Sequence, residues 1–247
     1  MDVLNRVNLR DLYPSEAWSM YRILPQCETI LDLGCGGGNM FQVVRQIAPN
    51  AHYTGLDLNP TLVERGQEAF GKSTATFIQG DILGHLQQSN EKYDCVMTWG
   101  VTYAIPFFYE AFDLVMSKDM ARFFIFDMRV TDGESTLDDM NLSWASYGDV
   151  KNPNYWHSFP EFLDAIKKWE HKLRRVEISG YDYPVGSAAW FSEDSPRPTV
   201  LSVVLESKLR SDPADTPCSW LVRVPPSLTV PADFQSKGNA FVKELVS

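Results

Sequence analysis

The chain has 247 residues, 44% hydrophobic and 22% charged, which is enough for a substantial core and too apolar for a disordered chain. A formal net charge of −10 repels phosphate backbones, and the doublets Lys167-Lys168 and Arg174-Arg175 sit beside Glu170 and Glu177, so no nucleic-acid partner is expected. Cys27, Cys35, Cys95 and Cys218 form no CxxC pair and have no paired His ligands, so neither a bound metal nor a disulfide framework is expected.

Residues 1–12 carry Asp2, Arg6, Arg10 and Asp11 without the apolar run of a secretory signal. Val96 to Phe108 is broken by Thr98, Gly100, Thr102 and Pro106 and cannot span a membrane. A cytoplasmic location with no membrane partner is the expectation. From residue 30 to 128, short apolar runs alternate with helical patterns. Thr29 to Leu33 is a strand running into glycines, and Met40, Phe41, Val43, Val44 and Ile47 then share one helical face. His52 to Asp57 is a second strand. Asn59-Pro60 starts a helix whose buried stripe is Leu62, Val63, Gly66, Ala69 and Phe70. Strands at Ala75–Ile78, Tyr93–Met97 and Phe123–Phe126 complete the series. Apolar strands separated by helices predict an α/β, doubly wound, parallel sheet with right-handed crossovers.

Past Met128 the periodicity fades. Residues 129–157 are rich in Asp, Asn, Gly and aromatics, lack clear periodicity and are expected to form a lid-like insertion. Ser158-Phe159-Pro160-Glu161 is a capping box opening a helix with Phe162, Leu163, Ile166 and Trp169 on its apolar face. Leu173–Tyr181 and Val200–Glu206 are two further strands, joined by a loop that holds Pro184, Gly186, Pro196 and Pro198. The expected division is a domain over 1–208 and an extended C-terminal stretch over 209–247, with a short final helix near Ala240–Leu245 and a role in homo-oligomer formation.

The chemistry concentrates in Leu31-Asp32-Leu33-Gly34-Cys35-Gly36-Gly37-Gly38-Asn39. Glycines between a strand and a helix let backbone approach a ligand closely. Asp57, at the end of the second strand, can accept both hydroxyls of a ribose. A dinucleotide fingerprint requires glycine where Asn39 stands, and Asp32 would repel a pyrophosphate while suiting a cationic amino acid. The ligand described is a nucleoside carrying an ammonium and a sulfonium.

At these residues the sequence resembles the class I S-adenosylmethionine-dependent methyltransferases, well over residues 10–128 and in outline beyond. The glycine segment resembles that family's first motif, Gly55-Leu56-Asp57-Leu58-Asn59-Pro60 its acidic ribose motif, Gln79-Gly80-Asp81-Ile82 its third and Tyr93 to Gly100 its fourth. The resemblance implies a Rossmann-like, mostly parallel seven-stranded sheet and S-adenosylmethionine as cofactor. It implies that Gly34, Gly36 and Gly38 underlie the methionine part, Asp32 orients the ammonium directly or through water, Asp57 holds the ribose with Leu58 beside it in the cofactor site, Asp81 and Ile82 hold the adenine, and residues 129–157 form an acceptor-side insertion. Thr98 or Trp99 would close the pocket, and Tyr13, in Tyr13-Pro14-Ser15-Glu16, would belong to an N-terminal helix folded over the cofactor.

The expected activity is methyl transfer to a small-molecule or carrier-bound acceptor, in specialised metabolism. Thr98-Trp99-Gly100-Val101 lacks the Asn/Asp-Pro-Pro-aromatic motif used on base or glutamine amines, and no Pro-Cys nucleophile for cytosine carbon is present. His157, beside Tyr155 and Trp156, is the candidate base, and Tyr103 the candidate acceptor contact. Asp127 and Arg129 lie on the carboxyl edge, where they meet an acceptor or form salt bridges to each other or to the lid. Trp144, Tyr147, Tyr155, Trp156 and Phe159 either line an apolar pocket or pin the insertion. Two other readings stay open: a methyltransferase-like binding protein without catalysis, and another nucleoside-cofactor enzyme.

Overall fold

The structure is a computed structural model, and it describes residues 6–147, 150–182, 196–231 and 234. The chain divides into two compact units, residues 1–99 with 109–126, and residues 100–108 with 127–247.

In the first unit, helix α1 (Pro14–Ile23) precedes an alternation of strands and helices: β1 (Thr29–Leu33), α2 (Asn39–Ile47), β2 (His52–Asp57), α3 (Pro60–Phe70), β3 (Ala75–Gln79), α4 (Ile82–Gln88), β4 (Tyr93–Thr98), α5 (Phe108–Ser117) and β5 (Ala121–Thr131), the last running on into the second unit. Every pairing here is parallel, in the order β5-β4-β1-β2-β3. The central strand β1 is covered on both faces, which is why Ile30 and Leu31 are fully buried and its run is continuously apolar.

Asn59 caps α3 as its sequence predicts: its side chain accepts from the Thr61 and Leu62 N–H groups at 3.0 and 3.4 Å, with Pro60 in the first turn. The buried stripe of α3 is narrower than expected. Val63 and Gly66 are buried whereas Ala69 is exposed, and Phe77 of β3 packs against Gly66.

That ring belongs to a cluster under the glycine segment. Phe41 lies 5.2 Å from Tyr53 and 5.3 Å from Phe70, and Phe77 lies 5.9 Å from Tyr53 and 6.2 Å from Phe70. Two glycines cut the slot that admits Phe77. A Cβ on Gly38 would come within 2.6 Å of Phe77 Cζ, and one on Gly66 within 2.7 Å of its Cδ1.

The second unit contains the remainder of β5, a hairpin β6 (Trp144–Tyr147) and β7 (Val150–Pro153), the short β8 (His157–Ser158), helix α6 (Phe159–Lys168), and strands β9 (Leu173–Asp182), β10 (Thr199–Ser207) and β11 (Ser219–Arg223). β8 pairs with β5 in parallel, β10 pairs with β9 antiparallel, and β11 pairs with β9 in parallel. The seven expected strands are β1 to β5, β9 and β10, in a mostly parallel α/β sheet; β8 and β11 are additional among the described residues.

β11 falls where an extended stretch was expected. Its flanking prolines, Pro217 and Pro225, masked a short alternation in which Trp220 and Val222 are buried. The final helix near 240–245, Pro184 and Gly186 of the β9–β10 connection, and the side chain of Tyr147 lie outside the described residues. The capping box of α6 forms by half. Ser158 Oγ accepts from the Glu161 N–H at 3.2 Å, but the Ser158 N–H donates to Thr136 Oγ1, whose hydroxyl in turn donates to Glu161 at 2.9 Å. No helix among the described residues is long and apolar enough to cross a membrane.

Candidate functional site

The turn after β1 is built by hydrogen bonds to the end of β2. Gly34 and Cys35 donate their N–H groups to the Leu56 carbonyl at 2.8 and 3.0 Å. Gly36 donates to Asp57 Oδ2 at 2.8 Å, and Asp57 Oδ1 accepts from the Asn59 N–H at 2.9 Å. A carboxylate accepting two backbone N–H bonds is oriented by charge-assisted contacts before any ligand arrives. Gly34, Gly36 and Gly38 all have positive φ.

The glycines differ in what their missing side chains allow. Gly38, at the cap of α2, makes room for Phe77, whereas a Cβ on Gly36 would meet nothing within 4 Å. The open space therefore lies over Gly36, between the ends of β1 and β2.

Asp32, the penultimate residue of β1, is 2% exposed. Its Oδ2 accepts from the Tyr53 hydroxyl at 2.5 Å. Burial pushes its carboxyl up from 3.8 to about 7, the Tyr53 hydrogen bond pulls against that, and the Asp57 charge adds to it. Sequence reasoning did not single out Tyr53; the available signal was an aromatic hydroxyl on the strand that pairs with Asp32's own.

The remaining first-unit candidates sit on neighbouring strand ends. Leu58 is 69% exposed, beside the half-buried Asp57. Asp81 caps α4, accepting from the Gly84 N–H at 2.8 Å, and is followed by the half-buried Ile82. The Gly80 N–H donates to the Asp57 carbonyl, which ties that turn to β2. Thr98, buried at the end of β4, donates to the Leu33 carbonyl at 2.9 Å. Trp99 is buried, and its indole Nε1 finds no acceptor among the described residues. Tyr13 caps α1 and is exposed, with Arg6 over its ring; Arg6 also pairs with the fully buried Glu16, whose carboxylate accepts the Tyr13 N–H.

The second unit gathers the acceptor-side candidates. The Arg129 guanidinium lies 3.7 Å from the centre of the Tyr103 ring, a cation–π contact with Arg129 itself buried. Asp127 Oδ1 accepts from the Gly100 N–H and its carbonyl accepts from Thr102 Oγ1, both at 2.8 Å, so Asp127 holds the 100–102 turn. His157 is buried, with its ring 5.5 Å from Phe108 and its Nε2 3.1 Å from the Thr102 carbonyl. A carbonyl only accepts, so Nε2 carries the proton and Nδ1 is the basic nitrogen. Burial lowers the His157 pKa below its ordinary 6.5, keeping the ring neutral. Thr102, fully buried and joined to both Asp127 and His157, is a residue sequence reasoning passed over. Of the aromatic stretch, Trp156 and Phe159 are fully buried, which fits pinning, while Trp144 and Tyr155 are half-buried. Among the described residues no group of three or more His, Cys, Asp or Glu could hold a metal ion.

Comparison with known proteins bears on this arrangement. A family model described as "Methyltransferase domain" matches residues 30–115. An arsenite methyltransferase of Halobacterium salinarum is 31% identical over 89 residues, covering 35% of this chain and 23% of that protein. A malonyl-[acyl-carrier protein] O-methyltransferase of Anoxybacillus flavithermus is 29% identical over 79 residues, covering 32% and 30%. The chain thus spans no more than about a third of either relative's length. Among solved structures, the N-terminal domain of EvdMO1, crystallised with SAH and D-fucose, matches with a TM-score of 0.57 at 13% identity, over 84% of this chain and 85% of that one. At that identity the likeness speaks to the fold. A glycine turn after β1, an acid at the end of β2, and a family model and relatives that match this same segment lead to one conclusion: over residues 30–115 the chain is similar to methyltransferase domains.

Proposed function

We propose that the chain binds S-adenosylmethionine in its first unit and transfers a methyl group to a small-molecule or carrier-bound acceptor. The observation that carries this reading is the pair of carboxylates, Asp32 and Asp57, flanking the Gly34–Gly38 turn with open space over Gly36. A pyrophosphate there would face two acids, whereas a nucleoside with a cationic tail is complemented by them. The residues fit that group in two further respects: Leu58 offers an exposed apolar side chain beside Asp57, and Trp99 Nε1 is a buried donor without an acceptor among the described residues.

In this reading Asp57 holds the ribose hydroxyls, Leu58 and Ile82 pack the adenine, and Asp81 accepts from its amino group. Asp32 orients the ammonium, Gly34, Gly36 and Gly38 shape the turn beneath, Thr98 and Trp99 close the site and Tyr13 covers it. The bound sulfonium supplies an activated methyl and a good leaving group, so what the protein must add is alignment of the acceptor for in-line displacement. A base is needed only where the acceptor atom must lose a proton. His157 Nδ1, the lone-pair nitrogen of a neutral ring, is the group proposed to take it, and Tyr103 with Arg129 is proposed to contact the acceptor. A buried guanidinium favours an acceptor carrying an anionic group. Two relatives are named for an acyl-carrier substrate and an oxyanion, which agrees in kind with that reading.

Isothermal calorimetry with S-adenosylmethionine and, separately, NADH tests the cofactor reading on wild type and Asp57→Ala. Micromolar binding of S-adenosylmethionine alone, lost in the variant, is expected. A folded wild type that ignores S-adenosylmethionine would overturn it, and the NADH trace would then separate an oxidoreductase from a non-catalytic protein.

A further inference from the structure

Tyr53 is placed by packing. In the β1–β2 register Asp32 lies opposite Gly55, and Tyr53, two residues before Gly55, shares its face of the sheet. A Cβ on Gly55 would come within 3.0 Å of Tyr53 Cε1 and 2.7 Å of Cys35 Sγ, so the missing side chain clears a path along which the phenol reaches Asp32. The ring is held between Phe41 and Phe77 and is fully buried. The hydroxyl position is therefore set by the aromatic cluster, and Asp32 Oδ2 meets it at 2.5 Å. The Tyr53 hydroxyl engages Oδ2 and not Oδ1 of Asp32.

The groups that act on this carboxyl are few. Tyr53 donates to it, Asp57 contributes a like charge and Arg6 an opposing one, and Cys35 and Cys95 are both held as thiols chiefly by burial. Desolvation is the largest influence on the carboxyl and outweighs the attraction of Arg6, so the ligand-free carboxyl holds a proton over part of the neutral range. A ligand ammonium beside Oδ1 would reverse that balance, because an adjacent cation favours the carboxylate.

Resting on the cofactor reading above, we propose that Tyr53 is a positioning residue: its hydroxyl fixes Oδ2 of Asp32 and leaves Oδ1 for the cationic end of the cofactor, and binding releases the Asp32 proton to solvent. Affinity should then rise with pH until Asp32 is ionised in the free protein. The Tyr53 hydroxyl favours the carboxylate, so its removal should move that rise to higher pH.

Calorimetry of S-adenosylmethionine binding at several pH values, in buffers of different ionisation enthalpy, reads both affinity and protons released. Wild type is expected to bind roughly tenfold more weakly at pH 6 than at pH 8 and to release about half a proton at pH 7. Tyr53→Phe should bind several-fold more weakly at pH 7, recover toward wild type near pH 9, and release more proton at pH 7. Asp32→Asn should bind weakly at every pH, leaving only the ligand's own ionisation. An equal loss for Tyr53→Phe at every pH, the mark of a merely structural role, would overturn the proposal. So would a wild type that releases no more proton than Asp32→Asn, and that comparison decides the matter if Tyr53→Phe does not fold. Binding without proton release sinks this inference alone, whereas absence of binding sinks the cofactor reading with it.

Discussion

Gly38→Ala is expected to destabilise the protein through Phe77. Gly38 has φ 80°, a left-handed conformation that costs an alanine about 1–2 kcal/mol. The new methyl would also stand 2.6 Å from Phe77 Cζ and 2.7 Å from Cε1. Phe77 has little room to retreat, since Gly66 packs against Cδ1 and Cε1 along the same edge of the ring, and Tyr53 and Phe70 flank it. Overpacking of this kind costs about 1–3 kcal/mol, giving a total of about 2–5 kcal/mol. Urea unfolding followed by circular dichroism measures it. Phe77→Leu removes the atoms struck, so Gly38→Ala placed on that background should cost only the backbone part. Gly36→Ala, with φ 56° and no atom within 4 Å, should likewise cost only about 1–2 kcal/mol. A Gly38→Ala penalty unchanged by Phe77→Leu would refute the steric argument, because clashing neighbours must couple.

Two smaller effects follow from single contacts. His157 is buried and its pKa lies below the ordinary 6.5, so the folded state resists protonation that the unfolded state accepts. The resulting stability is fully present above 6.5 and is lost as pH falls through the depressed folded value; His157→Gln should flatten the decline in melting temperature below pH 6.5, and an unchanged slope would contradict this. Asn59→Ala removes the acceptor for the Thr61 and Leu62 N–H groups and should cost about 1 kcal/mol in urea unfolding, while a cost near zero would show that solvent replaces the cap.

The sequence by itself determined the strands of the first unit, because residues buried on both faces of a parallel sheet must be continuously apolar and such runs read directly. It also determined the placing of Asp32, Asp57 and the glycines between them, since strand ends and turn residues are local properties. Strand β11 was hidden because prolines at 217 and 225 speak louder locally than two buried residues between them. The division of labour between Gly36 and Gly38 was equally hidden: both take positive φ, and only the position of Phe77, 39 residues further along the chain from Gly38, tells which one faces packing and which one open space. The bond from Tyr53 to Asp32 depends on strand register and on the space left at Gly55. Local pattern reports what each residue can do, but which groups meet, and which are driven off their ordinary ionisation by burial, is decided by contacts between segments distant in sequence.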